Sequence, residues 1–250
     1  VSLTVLISGA SSGLGRSLAL QYAKQGATLG LIARRRELLK DLSQEIPNAA
    51  IYVADVRDSD AMQAVAHDFV LHHGQPDIVI ANAGISRGVL TEYAEDSEVF
   101  ADILATNVNG MLHIFQPFIS HMRSVGSGRL VGIASVAGYR GLPGGGAYSA
   151  SKAAAIAYLE SLRVEMHGSG VSVITVCPGY IITPMTAGNP FYMPFLMSAE
   201  DMADKIIRVV DRRKLYAVIP WQMAIVARAL RLLPNFIYDR LFANAPRKPR

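Results

Sequence analysis

Short apolar runs alternate with helix-length stretches along most of this 250-residue chain, and that alternation constrains its fold more than any other feature. The runs are Leu3–Ser8, Thr28–Ala33, Ala50–Ala54, Asp77–Ala81, Arg129–Ala134, Val171–Cys177 and Leu215–Ile219. Most are continuously apolar instead of alternating with polar residues, as strands covered on both faces of a parallel sheet are. Between them lie Gly15–Gln25, Glu37–Glu45, Asp58–His73 and Ser151–Met166, each long enough for a helix. Repeated strand–helix units joined by right-handed crossovers predict an α/β fold, a doubly wound parallel sheet of about seven strands with helices on both faces. Such sheets bind ligands beyond the carboxyl ends of their strands, near the switch point. Residues 1–220 are expected to form one domain. A flap at 180–200 is expected to cover the site, and 221–250 is a helical extension, not an independent domain.

Hydrophobic residues make up 51% of the chain and charged residues 18%, which excludes a disordered chain and leaves ample material for a core. A single cysteine, Cys177, excludes a disulfide framework and a multi-cysteine metal site. It reads as a small core residue in a strand. His72-His73 reads as a solvated helix end, and Glu92, Glu95, Asp96 and Glu98 as an exposed acidic helix start, so no metal is expected. No apolar run reaches the roughly 18 residues of a spanning helix. The opening Val-Ser-Leu-Thr-Val-Leu-Ile, cut off by Gly9, reads as a strand and not a signal peptide. A cytoplasmic location is expected.

The formal net charge of +4 conceals an asymmetry: the last 46 residues carry eleven basic side chains and two acids. Those basic residues sit among Leu, Ile and Phe, unlike a nucleic-acid face, so no nucleic-acid partner is expected. The alternatives are an acidic lipid surface, an acidic ligand or a solvated edge. Within Trp221–Phe242, Arg228 and Arg231 share one narrow stripe of an otherwise apolar helix that Pro234 ends or kinks. Such a helix must be buried against its own domain, a partner subunit or a membrane interface. Tyr180–Met197 carries Met185, Phe191, Tyr192, Met193, Phe195, Leu196 and Met197, more large apolar groups than surface loops usually hold.

After the first strand comes Gly9-Ala10-Ser11-Ser12-Gly13-Leu14-Gly15, running into a helix. A glycine-rich turn there lets backbone N–H groups and the positive helix end approach a pyrophosphate. Tight strand-to-helix packing is the alternative. At the end of the second strand, where an acid would bond an adenosine ribose, the chain reads Ala33-Arg34-Arg35-Arg36. Guanidinium forks without a carboxylate favour NADP(H) over NAD(H), with Arg34 as first choice for the 2′-phosphate and Arg35 as helper. Further on stand Asn107, Ser135 and the pair Tyr148 and Lys152, whose spacing places both on one helix face. An ammonium one turn away favours a phenolate, and a serine hydroxyl can hold a substrate oxygen beside it, which is equipment for carbonyl–alcohol interconversion.

In order and spacing, these motifs resemble the short-chain dehydrogenase/reductase family over roughly Leu3 to Met185. The resemblance implies a Rossmann-like fold, with Gly9, Gly13 and Gly15 as the family's glycine motif and Ser11, Ser12 and Leu14 beside them at the cofactor. It places Asp55-Val56 near the adenine amino group. Ala81-Asn82-Ala83-Gly84 matches the family's Asn-Asn-Ala-Gly with its first Asn replaced. Pro178-Gly179, Ile181 and Thr183 are implied at the nicotinamide. Ser12 stands where some NADP-preferring members carry a basic residue. The resemblance further implies Tyr148 as acid/base, Ser135 as the group orienting the carbonyl, and Lys152 on the nicotinamide ribose lowering the Tyr148 pKa. Asn107 would hold a water leading to solvent. The helices at Ser97–Arg123 and Tyr148–His167 resemble the family's dimer faces, which implies a homodimer or homotetramer.

The flap composition predicts a large hydrophobic substrate, lipid-, steroid- or ketoacyl-like. The extension resembles that of relatives lying on membranes, so peripheral contact with an anionic bilayer through 221–250 is expected as one of its roles. The alternative function is a non-catalytic NADP(H)-binding regulator on the same fold.

Overall fold

The computed structural model describes residues 3–46 and 48–249; Val1, Ser2, Pro47 and Arg250, at the ends of the expected first strand and extension and in the loop before the third strand, lie outside them. Seven strands form one sheet: β1 (Thr4–Ser8), β2 (Thr28–Ala33), β3 (Ala49–Val53), β4 (Ile78–Ala81), β5 (Gly128–Ile133), β6 (Val171–Pro178) and β7 (Tyr216–Ile219). Their order is β3-β2-β1-β4-β5-β6-β7, every pair parallel. Each strand falls within a residue or so of its apolar run, because burial on both faces demands continuous apolarity.

The pleat sends successive residues to opposite faces. Val5, Ile7, Ile78, Ile80, Val131, Ile133, Ile174 and Val176 join one core, while Leu6, Val79, Leu130 and Val173 join the other. The first face is covered by α1 (Gly13–Lys24), α2 (Arg36–Glu45) and α7 (Ala199–Asp211), through Leu14, Leu18, Leu39, Met202 and Ile206. The second is covered by α3 (Ser59–His73), α5 (Gly110–Val125) and α6 (Gly146–Glu165), through Phe69, Phe115, Phe118 and Leu159. Asp58 stands just outside α3, its carboxylate accepting the Ala61 N–H at 2.9 Å, so it is a cap and not the first helical residue.

The stretch expected as one helix over Ser97–Arg123 is divided. It begins as α4 (Asp96–Leu104), passes through a π-helical turn at Ala105–Asn109 and continues as α5. One acid of the expected exposed helix start is not exposed. Asp96 is buried and accepts the Leu90 N–H at 2.7 Å, so it closes the preceding loop as well as facing the helix N-terminus.

Pro234 divides the extension into α8 (Trp221–Leu232) and α9 (Asn235–Phe242). A proline supplies no N–H to the helical ladder, so the break falls there. The pair is docked on its own domain by Arg140, which donates to the carbonyls of Leu230, Arg231 and Leu233 at 2.8–3.2 Å and to Asn235 Oδ1 at 2.9 Å. Arg140 also lies 4.1 Å over the Tyr238 ring, whose hydroxyl donates to the Gly141 carbonyl at 2.6 Å. Trp221, Ile225, Leu232, Phe236 and Leu241 face outward on the same two helices. Among the described residues, no helix is long and apolar enough to cross a membrane.

One guanidinium thus caps the carboxyl end of α8. Arg140→Ala should lower hydrogen-exchange protection across α8 and α9 by about 2 kcal/mol while leaving the sheet amides unchanged. Unaltered protection in both helices would remove Arg140 from this role.

Candidate functional site

A cleft of about 630 Å³ runs along the carboxyl ends of β1, β2, β4, β5 and β6. Gly9, Ser11, Ser12, Gly13, Leu14, Gly15, Arg34, Arg35, Asp55, Val56, Asn82, Ala83, Gly84, Ser135, Tyr148, Lys152, Pro178, Gly179, Ile181 and Thr183 all line it. Of the residues expected in catalysis or cofactor binding, Asn107 alone is absent from the lining, buried at 1% exposure.

The floor is a seam between β1 and β4. The Ser8 hydroxyl oxygen accepts the N–H groups of Asn82 and Ala83, each at 3.1 Å. The Asn82 side-chain amide donates to the carbonyls of Ser8 and Gly9 at 3.0 and 3.3 Å. Gly9 is held at φ +68°, where a Cβ would lie 2.8 Å from Ala83 Cα, so no larger residue fits between the two loops. Ser12 precedes α1 without capping it through its side chain, which leaves the first N–H groups of that helix facing the cleft. Arg35 donates to Ser11 Oγ at 2.9 and 3.2 Å and also to Ser12 Oγ, so its guanidinium lies over the glycine turn. Arg34 is more loosely held, 3.6 Å from Asp55 with its side chain 53% exposed.

Asp55 is gripped by a residue the sequence did not single out. Arg57 donates to its carboxylate at 2.7 and 2.9 Å and reaches Asp102 at 2.8 Å. Burial raises the Asp55 pKa, but the Arg57 hydrogen bonds outweigh it and hold the carboxyl below the usual range.

At the other end of the cleft, Ser135 follows β5 and Tyr148 and Lys152 share one face of α6. Burial raises the Tyr148 pKa, while a hydrogen bond with the Ser135 hydroxyl draws it back down. Lys152 is buried, donates to the Ile133 carbonyl at 2.8 Å, and its Nζ is 5.7 Å from the Tyr148 ring centre. Desolvation lowers its own pKa to about 8. Within the chain itself the Lys152 ammonium donates to the Ile133 carbonyl, and the group that offsets burial at the Tyr148 phenol is Ser135.

The π-helical turn brings Asn107 under this pair. Its amide donates to Ser151 Oγ at 2.9 Å and to the Ile85 carbonyl at 3.0 Å, and its oxygen accepts the Ile85 N–H at 2.8 Å. Cys177 lies buried nearby, 3.4 Å from the Tyr216 hydroxyl, and burial pushes its thiol up to about 11, so it stays protonated. Of the flap's large apolar groups, Met185 alone lines the cleft. Phe191 packs near Tyr180, and Tyr192 is 87% exposed.

Residues 3–190 match the family model for short chain dehydrogenases. An uncharacterized oxidoreductase of Myxococcus xanthus is 38% identical over 240 residues, covering 94% of either chain. The crystal structure of a short-chain dehydrogenase from Streptomyces avermitilis superposes with a TM-score of 0.80 at 26% identity, covering 92% of both chains. An actinorhodin polyketide ketoreductase solved with NADPH gives 0.79 at 25% identity, over 87% of this chain and 95% of the other. The chain belongs to the short-chain dehydrogenase/reductase family.

Removing the Ser8 hydroxyl leaves two buried backbone N–H groups without their acceptor. Ser8→Ala should therefore cost about 1–3 kcal/mol of stability, read as a lower urea midpoint. An unchanged midpoint would show that the seam does not depend on this hydroxyl.

Proposed function

We propose that the chain is an NADP(H)-dependent oxidoreductase that interconverts a carbonyl and a secondary alcohol on a hydrophobic substrate. The observation that carries this reading is that Ser135, Tyr148 and Lys152 line one end of a cleft whose other end is a glycine turn with arginines. A nicotinamide cofactor fits what is present. The turn is too tight for side chains, the first N–H groups of α1 face the cleft, and Arg35 lies over Ser11 and Ser12. No carboxylate ends β2, and Arg34, exposed and loosely engaged, is free to turn its fork onto a 2′-phosphate. The NADPH-bound ketoreductase neighbour and the oxidoreductase relative support the same class.

In the reductive direction, the Tyr148 hydroxyl donates its proton to the carbonyl oxygen, and the Ser135 hydroxyl holds and polarises that oxygen. When bound, the reduced nicotinamide supplies the hydride. Lys152, buried beside Tyr148, would hold the ribose of a bound cofactor, and Asn107 keeps the turn beneath α6 in place through Ser151 and Ile85. Ile85, Ile181, Pro184 and Met185 give the cleft its apolar walls.

Tyr148→Phe keeps the ring and removes the proton. It should lower kcat by roughly 10²–10⁴-fold with hydrophobic ketones while NADPH still binds with nearly unchanged affinity. Full turnover in that variant would refute the assigned acid. A wild-type protein that binds NADPH yet reduces no member of a ketone panel would favour the regulatory alternative. Arg34→Leu should weaken NADPH binding roughly 10- to 100-fold and leave NADH binding little changed, measured by nicotinamide fluorescence titration. Equal losses for both cofactors would remove Arg34 from phosphate recognition.

A further inference from the structure

Beyond α9 the chain turns back across the end of the cleft that holds Ser135 and Tyr148. The Gly88 N–H donates to the Pro249 carbonyl at 2.9 Å, and a Cβ on Gly88 would fall 2.3 Å from the Lys248 carbonyl oxygen. Arg247 packs against Gly144, where a Cβ would meet Arg247 Cβ at 2.9 Å. Val89 and Gly145 bridge these two loops, immediately before the helix that carries Tyr148. A backbone hydrogen bond on one side and the Arg247 side chain against Gly144 on the other therefore fix where the Lys248 side chain starts.

Its Nζ donates to Ser86 Oγ and to the Met185 carbonyl, each at 3.1 Å, and both of those residues line the cleft. An ammonium has three N–H donors, so one remains beyond these two neutral oxygens. No carboxylate pairs with it among the described residues. The one acid lining the cleft, Asp55, stands at the adenine-binding end of the reading above and is engaged by Arg57. Arg87, also on the cleft, adds a second cation at the Lys248 end. Partial burial of Lys248 lowers its pKa, as expected of a cation short of counter-charge. Ile85 and Met185, chain neighbour and bonding partner of this corner, line the same cleft as Ser135 and Tyr148 and give it apolar surface.

We propose that Lys248 is a specificity-determining residue that receives a carboxylate at the far end of the substrate. The preferred substrates are then oxo acids, or the matching hydroxy acids, in which an apolar chain separates the carboxylate from the reacting carbon. The inference rests on the carbonyl–alcohol reading of the same site and narrows it.

The test uses linear oxododecanoic acids and their methyl esters with NADPH. Wild type should favour at least one acid over its ester by about tenfold or more in kcat/KM, with the difference in KM. Lys248→Met should bring that ratio near one, and Lys248→Arg should retain the preference. A second readout needs no turnover. The NADP⁺-loaded wild-type protein should bind dodecanoate about tenfold more tightly than methyl dodecanoate, and Lys248→Met should not. Equal affinities in wild type, absence of binding by both included, overturn the proposal, as does a preference that survives in Lys248→Met. Carboxylate discrimination without any reduction supports the Lys248 site while counting against the Tyr148 reading, so the two can fail separately.

Discussion

The cleft exists because β1 and β4 are sewn together at their carboxyl ends by Ser8 and Asn82. At a switch point the chain leaves adjacent strands in opposite directions, so a crevice opens with unpaired backbone groups at its base. Here one hydroxyl takes two of those N–H groups and one amide takes two carbonyls. The glycine turn and the Ala83–Gly84 segment are then held at backbone contact, and everything that lines the cleft is placed relative to them. Ala81 is accommodated where the family pattern has Asn because its side chain points into the second core, away from this seam.

Charge is distributed along the cleft in one sense. Arg34 and Arg35 stand at one end and Lys152 at the other, Arg87 also lines the cleft, and Lys248 lies behind Ser86 and Met185. The single lining carboxylate, Asp55, is bound by Arg57 and pulled further toward ionisation. A cleft whose walls are low in dielectric strengthens such a field, which favours anionic ligands along its whole length. The division within it is chemical: planar guanidinium forks at the end suited to phosphate, a compact ammonium at the end suited to a single carboxylate.

The strands were legible because burial on both faces leaves an unbroken apolar signature, and the cleft residues were legible because they sit at strand ends in a fixed order. What was not legible depends on contacts between segments distant in sequence. Arg140 reads as an ordinary loop cation, yet it caps a helix some 90 residues further on. Arg57 sits two residues from Asp55 and gave no signal, because only the folded chain turns its guanidinium onto Asp55 and Asp102 together. The π-helical turn was hidden inside a helical pattern, since inserting one wider turn does not disturb apolar periodicity enough to be read. The flap divides in a way its composition does not announce: Ile181, Thr183 and Met185 line the cleft, while Tyr192 faces solvent and Phe191 packs near Tyr180.

The extension was counted in the sequence as basic charge attached to apolar helix, and the same residues have a different meaning once placed. Arg140 ties the α8–α9 junction to the loop after Ser135, and the Pro249 carbonyl ties the end of the extension to the loop after β4. Those two loops are themselves joined by the Val89–Gly145 bridge just before the helix that carries Tyr148, so the extension is tied to one corner of the cleft at two points. A segment pinned at two points loses its freedom once for both contacts, and each contact lowers the entropy cost of the other. The basic tail therefore backs the wall of the site, and Lys248 reaches the cleft through its bonds to the lining residues Ser86 and Met185.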